Sequence, residues 1–188
     1  MIGLIQKTLL DLVNSMAGVD AVAEVKRRAG VPADKVYRID EPYEDDEWER
    51  LLSSACEVLK VTQAQAEEAF ADFFCRDALH RWPTWFKMAT NSRQLLECHP
   101  FIHNSFASGV RHPALHKAIG DKFSLESRDA ELVVHYNSPN RLCGLYMALA
   151  RWIIAHYGDE ATVEEICCVK KGDPECRIHV CWAQPAVL

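Results

Sequence analysis

Apolar residues recur at the spacing of a helix face along the first half of the chain. Ile2, Ile5, Leu9, Leu12, Val13 and Met16 predict an amphipathic helix over 2–16 that ends near Gly18. Asp20 as N-cap and Gly30 as stop, with Pro32 just beyond, frame a second helix. Trp48, Leu51, Leu52, Ala55 and Leu59 mark a third, entered through Glu44, Asp45, Asp46 and Glu47, which suit the positive end of a helix dipole. Thr62 and Gln65 have the capping-box spacing that opens a fourth helix, burying Ala66, Ala69, Phe70 and Phe73. Pro83 suits the first turn of a fifth, which continues toward His103 with a break or kink at Pro100.

After about residue 116 the period shortens to that of strands, over 122–125, 131–136, 163–169 and 176–182. One helix, 142–157, is inserted between the second and third runs and closed by Gly158. Gly172-Asp173 is a hairpin signal, so the last two strands should pair antiparallel. The expected class is α+β: a helical N-terminal half packed on a C-terminal antiparallel sheet with one inserted helix. We expect one domain over 1–188, with a helical part over about 1–60 and the sheet-bearing part over about 61–188.

The 188 residues, 49% hydrophobic, can bury a core without metals or disulfides. Gln6, Lys7 and Asp11 interrupt the apolar start before a signal-like run develops, and no stretch reaches membrane-span length, so a cytoplasmic protein with no membrane association is expected. A net charge of -6 argues against nucleic acid as partner. Eight cysteines in a reducing compartment point to metal binding or redox chemistry where they cluster. No set of nucleophile, base and orienting group is evident, so an enzyme is not expected.

The most chemically loaded stretch is His99-Pro100-Phe101-Ile102-His103, with Phe106 one turn on. A histidine on an apolar helix face can be an axial haem ligand, since neutral imidazole is the usual proximal donor, or a core histidine satisfied by a carbonyl. The pairs His99/His103 and His112/His116 also have the spacing of a two-histidine metal site. The stretch His135-Tyr136-Asn137-Ser138-Pro139-Asn140-Arg141 brings hydroxyl and guanidinium donors to a helix start, which suits a carboxylate or phosphate and is equally an ordinary capped turn. A hairpin centred on Gly172 sets Cys168 opposite Cys176 on one sheet face, with Cys143 at the start of the helix above.

These motifs, with the Met-Ile-Gly-Leu-Ile start, the acidic helix entry at Glu44 and Trp82-Pro83-Thr84-Trp85-Phe86, stand in the order and spacing of H-NOX (haem-nitric oxide/oxygen binding) domains, which the chain resembles over nearly its whole length. The resemblance implies haem b as cofactor, His103 as its proximal iron ligand, and Tyr136 and Ser138 as the first members of a Tyr-x-Ser-x-Arg motif that holds the haem propionates. Asn140 stands where the motif has arginine, and Arg141, one residue late, is expected to reach a propionate with its long side chain. His116 stands where the family has a proline thirteen residues after the proximal histidine, with Pro113 earlier. The implied distal neighbours, Leu9, Phe74 and Leu145, carry no hydrogen-bond donor, which favours nitric oxide over dioxygen. Tyr146, next to Leu145, should point about 100° away.

The resemblance also implies a zinc held by Cys143, Cys168 and Cys176, with Glu165 at the fourth position or Cys167 in its place. A cross-strand disulfide and plain buried thiols are the alternatives. The expected function is a nitric oxide sensor that signals to a separate protein, by resemblance a histidine kinase or a cyclic-di-nucleotide enzyme. A haem-free zinc and thiol redox sensor on the same fold is the alternative.

Overall fold

The computed structural model describes residues 2–106, 116, 122–138 and 140–183. Helix α1, Gly3–Arg28, joins the two helices expected at the N-terminus, and the joint is a kink at Gly18, whose φ of 81° a residue with a side chain would adopt at a cost. Helix α2, Asp45–Leu59, carries Asp45, Asp46 and Glu47 in its first turn. Helix α3, Gln63–Arg81, opens with the expected capping box, in which Thr62 and Gln65 satisfy each other's backbone N–H groups.

The stretch expected to run as one helix to His103 is three. They are α4 (Pro83–Lys87), α5 (Ser92–Glu97) and α6 (His99–Ser105). The interruption comes before α5, where the Asn91 side chain caps Gln94 and the Ser92 N–H donates to Asp159 at 2.7 Å, a tertiary tie that no local pattern announces. A second interruption, at Cys98 just ahead of Pro100, falls where the break was expected, and Pro100 itself lies in the first turn of α6, where its missing N–H is tolerated.

The four strands β1 (Phe123–Arg128), β2 (Glu131–Tyr136), β3 (Ala161–Cys167) and β4 (Cys176–Trp182) form one antiparallel sheet in the order β1-β2-β4-β3. β1 runs three residues further than the sequence suggested. β3 ends earlier, at a bulge between Glu165 and Cys167, and a short 3-10 turn at Val169–Lys171 precedes Gly172. Helix α7, Cys143–Tyr157, is the expected insertion, closed by Gly158 in the left-handed conformation. The architecture is the α+β arrangement read from the sequence.

Two hydrophobic cores result. One gathers Leu9, Val13, Trp48, Leu51, Phe70 and Leu145 from the helices. The other gathers Leu132, Val134, Ile178 and Val180 from the inner sheet face under Tyr146, Ala150 and Ile154 of α7. No helix among the described residues is long and apolar enough to cross a membrane.

Candidate functional site

Between the two cores lies a cavity of about 170 Å³. Its helical wall is apolar, made by Ile5 of α1, Phe70 and Phe74 of α3, and Leu145 and Leu149 of α7. Its opposite wall is built on α6 and β1. Residues His99, Ile102, His103 and Phe106 fall at the i, i+3, i+4 and i+7 positions of one helix face and all line the cavity, while Phe101 between them is 66% exposed. Phe123 is the centre of this wall, with ring centroids 4.6 Å from His99, 4.9 Å from His103, 4.9 Å from Tyr136 and 5.5 Å from Tyr146.

Among the described residues, three polar atoms of this wall are buried without a hydrogen-bond partner: Nδ1 of His99, Nδ1 of His103 and the Tyr146 hydroxyl. Buried polar side-chain atoms are normally paired, so three orphans around one cavity are what a binding site short of its ligand presents. Burial pushes the His99 pKa down to about 3, with the neighbouring His103 adding to the shift, and pushes His103 down to about 4, with Lys122 adding and a hydrogen bond with the Asn104 side chain opposing. Both rings are therefore neutral at pH 7, the form in which imidazole donates to a metal. The chemistry of this lining, apolar and aromatic with a neutral imidazole, suits a haem.

The turn after β2 is tied to itself. The Leu142 N–H donates to the Tyr136 hydroxyl at 3.3 Å, and the Asn140 N–H donates to Ser138 Oγ at 3.3 Å. Tyr136 lines the cavity, while Ser138 is buried in the turn and does not. Two expectations need correction. Arg141 is exposed, at a left-handed φ of 52°, and is not among the cavity-lining residues, because the one-residue shift turns it outward and Asn140 inward. Leu9 is buried in the helical core, and Ile5, one turn earlier, takes the cavity position.

Tyr146 lines the cavity, as Leu145 does, but on the other wall: Leu145 belongs to the helical core and Tyr146 to the sheet core. The step of about 100° between them is as expected, and it sets the tyrosine on the His103 side. Sequence reasoning missed Lys122, a largely buried cation at the cavity edge. A single lysine before a strand carries no signal of such a position. His112 and Pro113 lie outside the described residues, and His116 is exposed.

The cysteine cluster forms as the hairpin register requires. Cys168 Sγ lies 3.5 Å from Cys143 Sγ and 3.6 Å from Cys176 Sγ, and all three residues are buried and reduced. These spacings are too long for a disulfide, whose sulfurs bond at about 2.05 Å. They are close to the edge of about 3.8 Å of a tetrahedron with zinc–sulfur bonds of about 2.3 Å. Burial and the neighbouring thiol push the Cys143 pKa up, and burial with the Glu165 carboxylate does the same for Cys168. Glu165 stands at the edge of the cluster and is ion-paired to Lys171 at 2.6 Å. Burial alone would raise its pKa, but hydrogen bonds from Lys171, Cys168 and Cys143 outweigh it and the net direction is down. Cys167 is turned toward Arg177, whose Nε donates to its sulfur at 3.2 Å.

The fold and site define an α+β domain with an apolar internal cavity suited to a ligand. Residues 2–165 match the Haem-NO-binding family, and the chain belongs to that family, whose H-NOX domains are haem-binding gas sensors. No curated protein matches the chain in sequence. Solved H-NOX structures share the fold. An H-NOX protein from S. oneidensis in the Fe(II)NO state is 19% identical with a TM-score of 0.76, covering 98% of this chain and 100% of its own. The Fe(II) unliganded H-NOX protein from K. algicida is 18% identical with a TM-score of 0.76, covering 100% of both chains. An oxygen-binding H-NOX domain related to soluble guanylate cyclases, in its oxygen complex, is 16% identical with a TM-score of 0.76, covering 100% of this chain and 98% of its own.

The depressed histidines make stability pH-dependent. An unfolded imidazole titrates near 6.5, so between about pH 6.5 and the folded values of about 4 and 3 the unfolded chain binds protons that the folded chain refuses. Stability of the protein without haem therefore falls on acidification through that window. In His99→Phe the slope of unfolding free energy against pH should be shallower by up to about 1.4 kcal/mol per pH unit between about pH 4 and 6. Urea unfolding at a series of pH values checks this, and equal slopes would mean that His99 is hydrated in solution.

Proposed function

We propose that the protein holds haem b in the cavity between its two cores, with His103 as axial ligand, and senses nitric oxide. The observation that carries the reading is the neutral, buried His103 in the ring-lined wall, its Nδ1 without a partner among the described residues, opposite a wall of apolar side chains. Haem supplies a ferrous iron to which a diatomic gas binds. The chain's own residues orient and exclude. His103 is fixed edge-to-face on Phe123, while Ile5, Phe70, Phe74, Leu145 and Leu149 keep the opposite wall dry. Bound dioxygen carries partial negative charge and is stabilised by a donor, which none of those five side chains has. Nitric oxide needs no such donor, so the wall favours nitric oxide.

His103 lies on a helix of seven residues packed on the first strand of the sheet, so a displacement at its ring is passed to both. A separate protein reads that displacement, by family analogy a histidine kinase or a cyclic-di-nucleotide signalling enzyme. The triad Cys143, Cys168 and Cys176 holds a structural zinc, with Glu165 as fourth ligand once it exchanges Lys171 for the metal. The thiols lose their protons on binding. The close sulfur spacings also favour a second reading, in which this cluster is the sensing element of a haem-free redox sensor.

Absorption spectra test the axial ligand. His103→Ala should lose ferrous haem or bind it at least tenfold more weakly with its helical content intact, whereas His99→Ala should do far less. Equal loss from both substitutions would reject the assignment. The ferrous protein should form a nitric oxide complex and no stable complex in air, and Leu145→Tyr should create measurable oxygen affinity. A persistent oxy spectrum of the wild type would show that a donor reaches the gas. For the cluster, elemental analysis of reduced protein should find about one zinc per chain, lost in the Cys168→Ala, Cys176→Ala double variant. No zinc in protein prepared without chelator would leave these residues as core thiols.

A further inference from the structure

We propose that Lys122 is the cation that receives a carboxylate of the cavity's porphyrin ligand, from the start of β1, in place of the outward-facing Arg141. This rests on the haem reading above. The side chain of Lys122 lines a cavity that is otherwise mostly carbon, and an ammonium ion is costly to bury unless it meets an anion. Its direct hydrogen-bond partner among the described residues is neutral: the Asn140 side-chain oxygen accepts from Nζ at 3.0 Å. The other end of the same amide donates to Asp45 at 2.9 Å to Oδ1 and 2.7 Å to Oδ2. These partners fix the amide's orientation, since an acid can only accept from it and an ammonium can only donate to it.

The result is a relay, Lys122–Asn140–Asp45, from β1 through the turn to the first residue of α2. Asp45 steadies the ammonium through its charge, but burial is the larger effect and the Lys122 pKa stays below its usual value. The ammonium meets that acid through the neutral amide. An ammonium has three donors, and one of them meets the Asn140 oxygen. A carboxylate entering with the ligand would complete both the charge and the hydrogen bonding.

Tyr136 accepts from the Leu142 N–H and Ser138 from the Asn140 N–H, bonds that use an acceptor site of each hydroxyl and shape the turn that aims Asn140, while the turn's cation comes from Lys122. Asn140 is a positioning residue in this arrangement and Lys122 the contact. The asparagine at the position where the chain departs from the family motif has a role of its own: it aligns a lysine brought from 18 positions earlier in the chain.

Two porphyrins test the contact without relying on iron ligation. Metal-free protoporphyrin IX carries both carboxylates, and its dimethyl ester carries neither as an anion. Fluorescence titration of the haem-free protein should give a Kd for protoporphyrin IX about 10- to 100-fold higher in Lys122→Met than in wild type, in line with a hydrogen-bonded charge. The ester should bind wild type and Lys122→Met alike. Lys122→Arg should recover most of the affinity for the acid, and Arg141→Ala should lie within about twofold of wild type. Methionine keeps the length and apolar stem, and far-UV circular dichroism confirms folding of each variant. His103→Ala should bind protoporphyrin IX normally while losing ferrous haem, so a failure of the axial assignment is read separately. The proposal is overturned if Lys122→Met weakens acid and ester equally or neither, if Arg141→Ala costs as much as Lys122→Met, or if the wild type binds no porphyrin.

Discussion

Helix α7 belongs to two hydrophobic cores at once, and the gap it leaves between them is the site. Successive residues on a helix are turned by about 100°. Leu145 can therefore complete the helical core while Tyr146 completes the sheet core, with the cavity between their two walls. A continuous core would close the gap and gain apolar burial. Closure against carbon would leave the sheet-side wall no better satisfied, since among the described residues its buried nitrogens and a hydroxyl lack partners that carbon cannot supply. The cavity is thus a place where the fold gives up packing and polar satisfaction together, as a preformed ligand site requires.

Charge follows the same division. Among the described residues, the helical wall presents no ionised group to the cavity, and the cation at the edge, Lys122, is held by a neutral amide that in turn meets an acid. The cysteine triad anchors the start of α7 to the β3–β4 hairpin, on the other side of the turn that carries Tyr136 and Asn140. One short segment, from the end of β2 to the start of α7, thus connects the cavity, the buried cation and the thiol cluster. The helix that bears His103 meets this unit through Phe123.

Much of this was legible in the sequence where the determinants are local. The Thr62–Gln65 box, the Gly158 stop of α7 and the opposition of Cys168 and Cys176 across Gly172 follow from spacing alone, and the structure has all three. The family motifs led to His103 because the histidine and its apolar neighbours lie within one helical turn. The misses are long-range. The division before α5 depends on Asp159, 67 residues away. Lys122 acquires meaning only when Asn140 and Asp45, from two other elements, converge on it. Leu9 was misplaced for a related reason: periodicity identifies the buried face of α1 but not which of its turns borders a cavity. Arg141 shows the opposite case: its one-residue offset was visible and its long side chain was expected to make up for it, but the residue is exposed and does not line the cavity.

The central claim is that His103 is the iron ligand in a cavity built to hold haem. Resonance Raman spectroscopy of the ferrous, gas-free protein, prepared with natural and with 15N-labelled histidine, tests it most directly, because the iron–imidazole stretch is observed at the bond in question. The account predicts a single iron–histidine band that shifts to lower frequency with the label and disappears when nitric oxide is added. A band insensitive to the label, or none in a protein that retains haem, would contradict it.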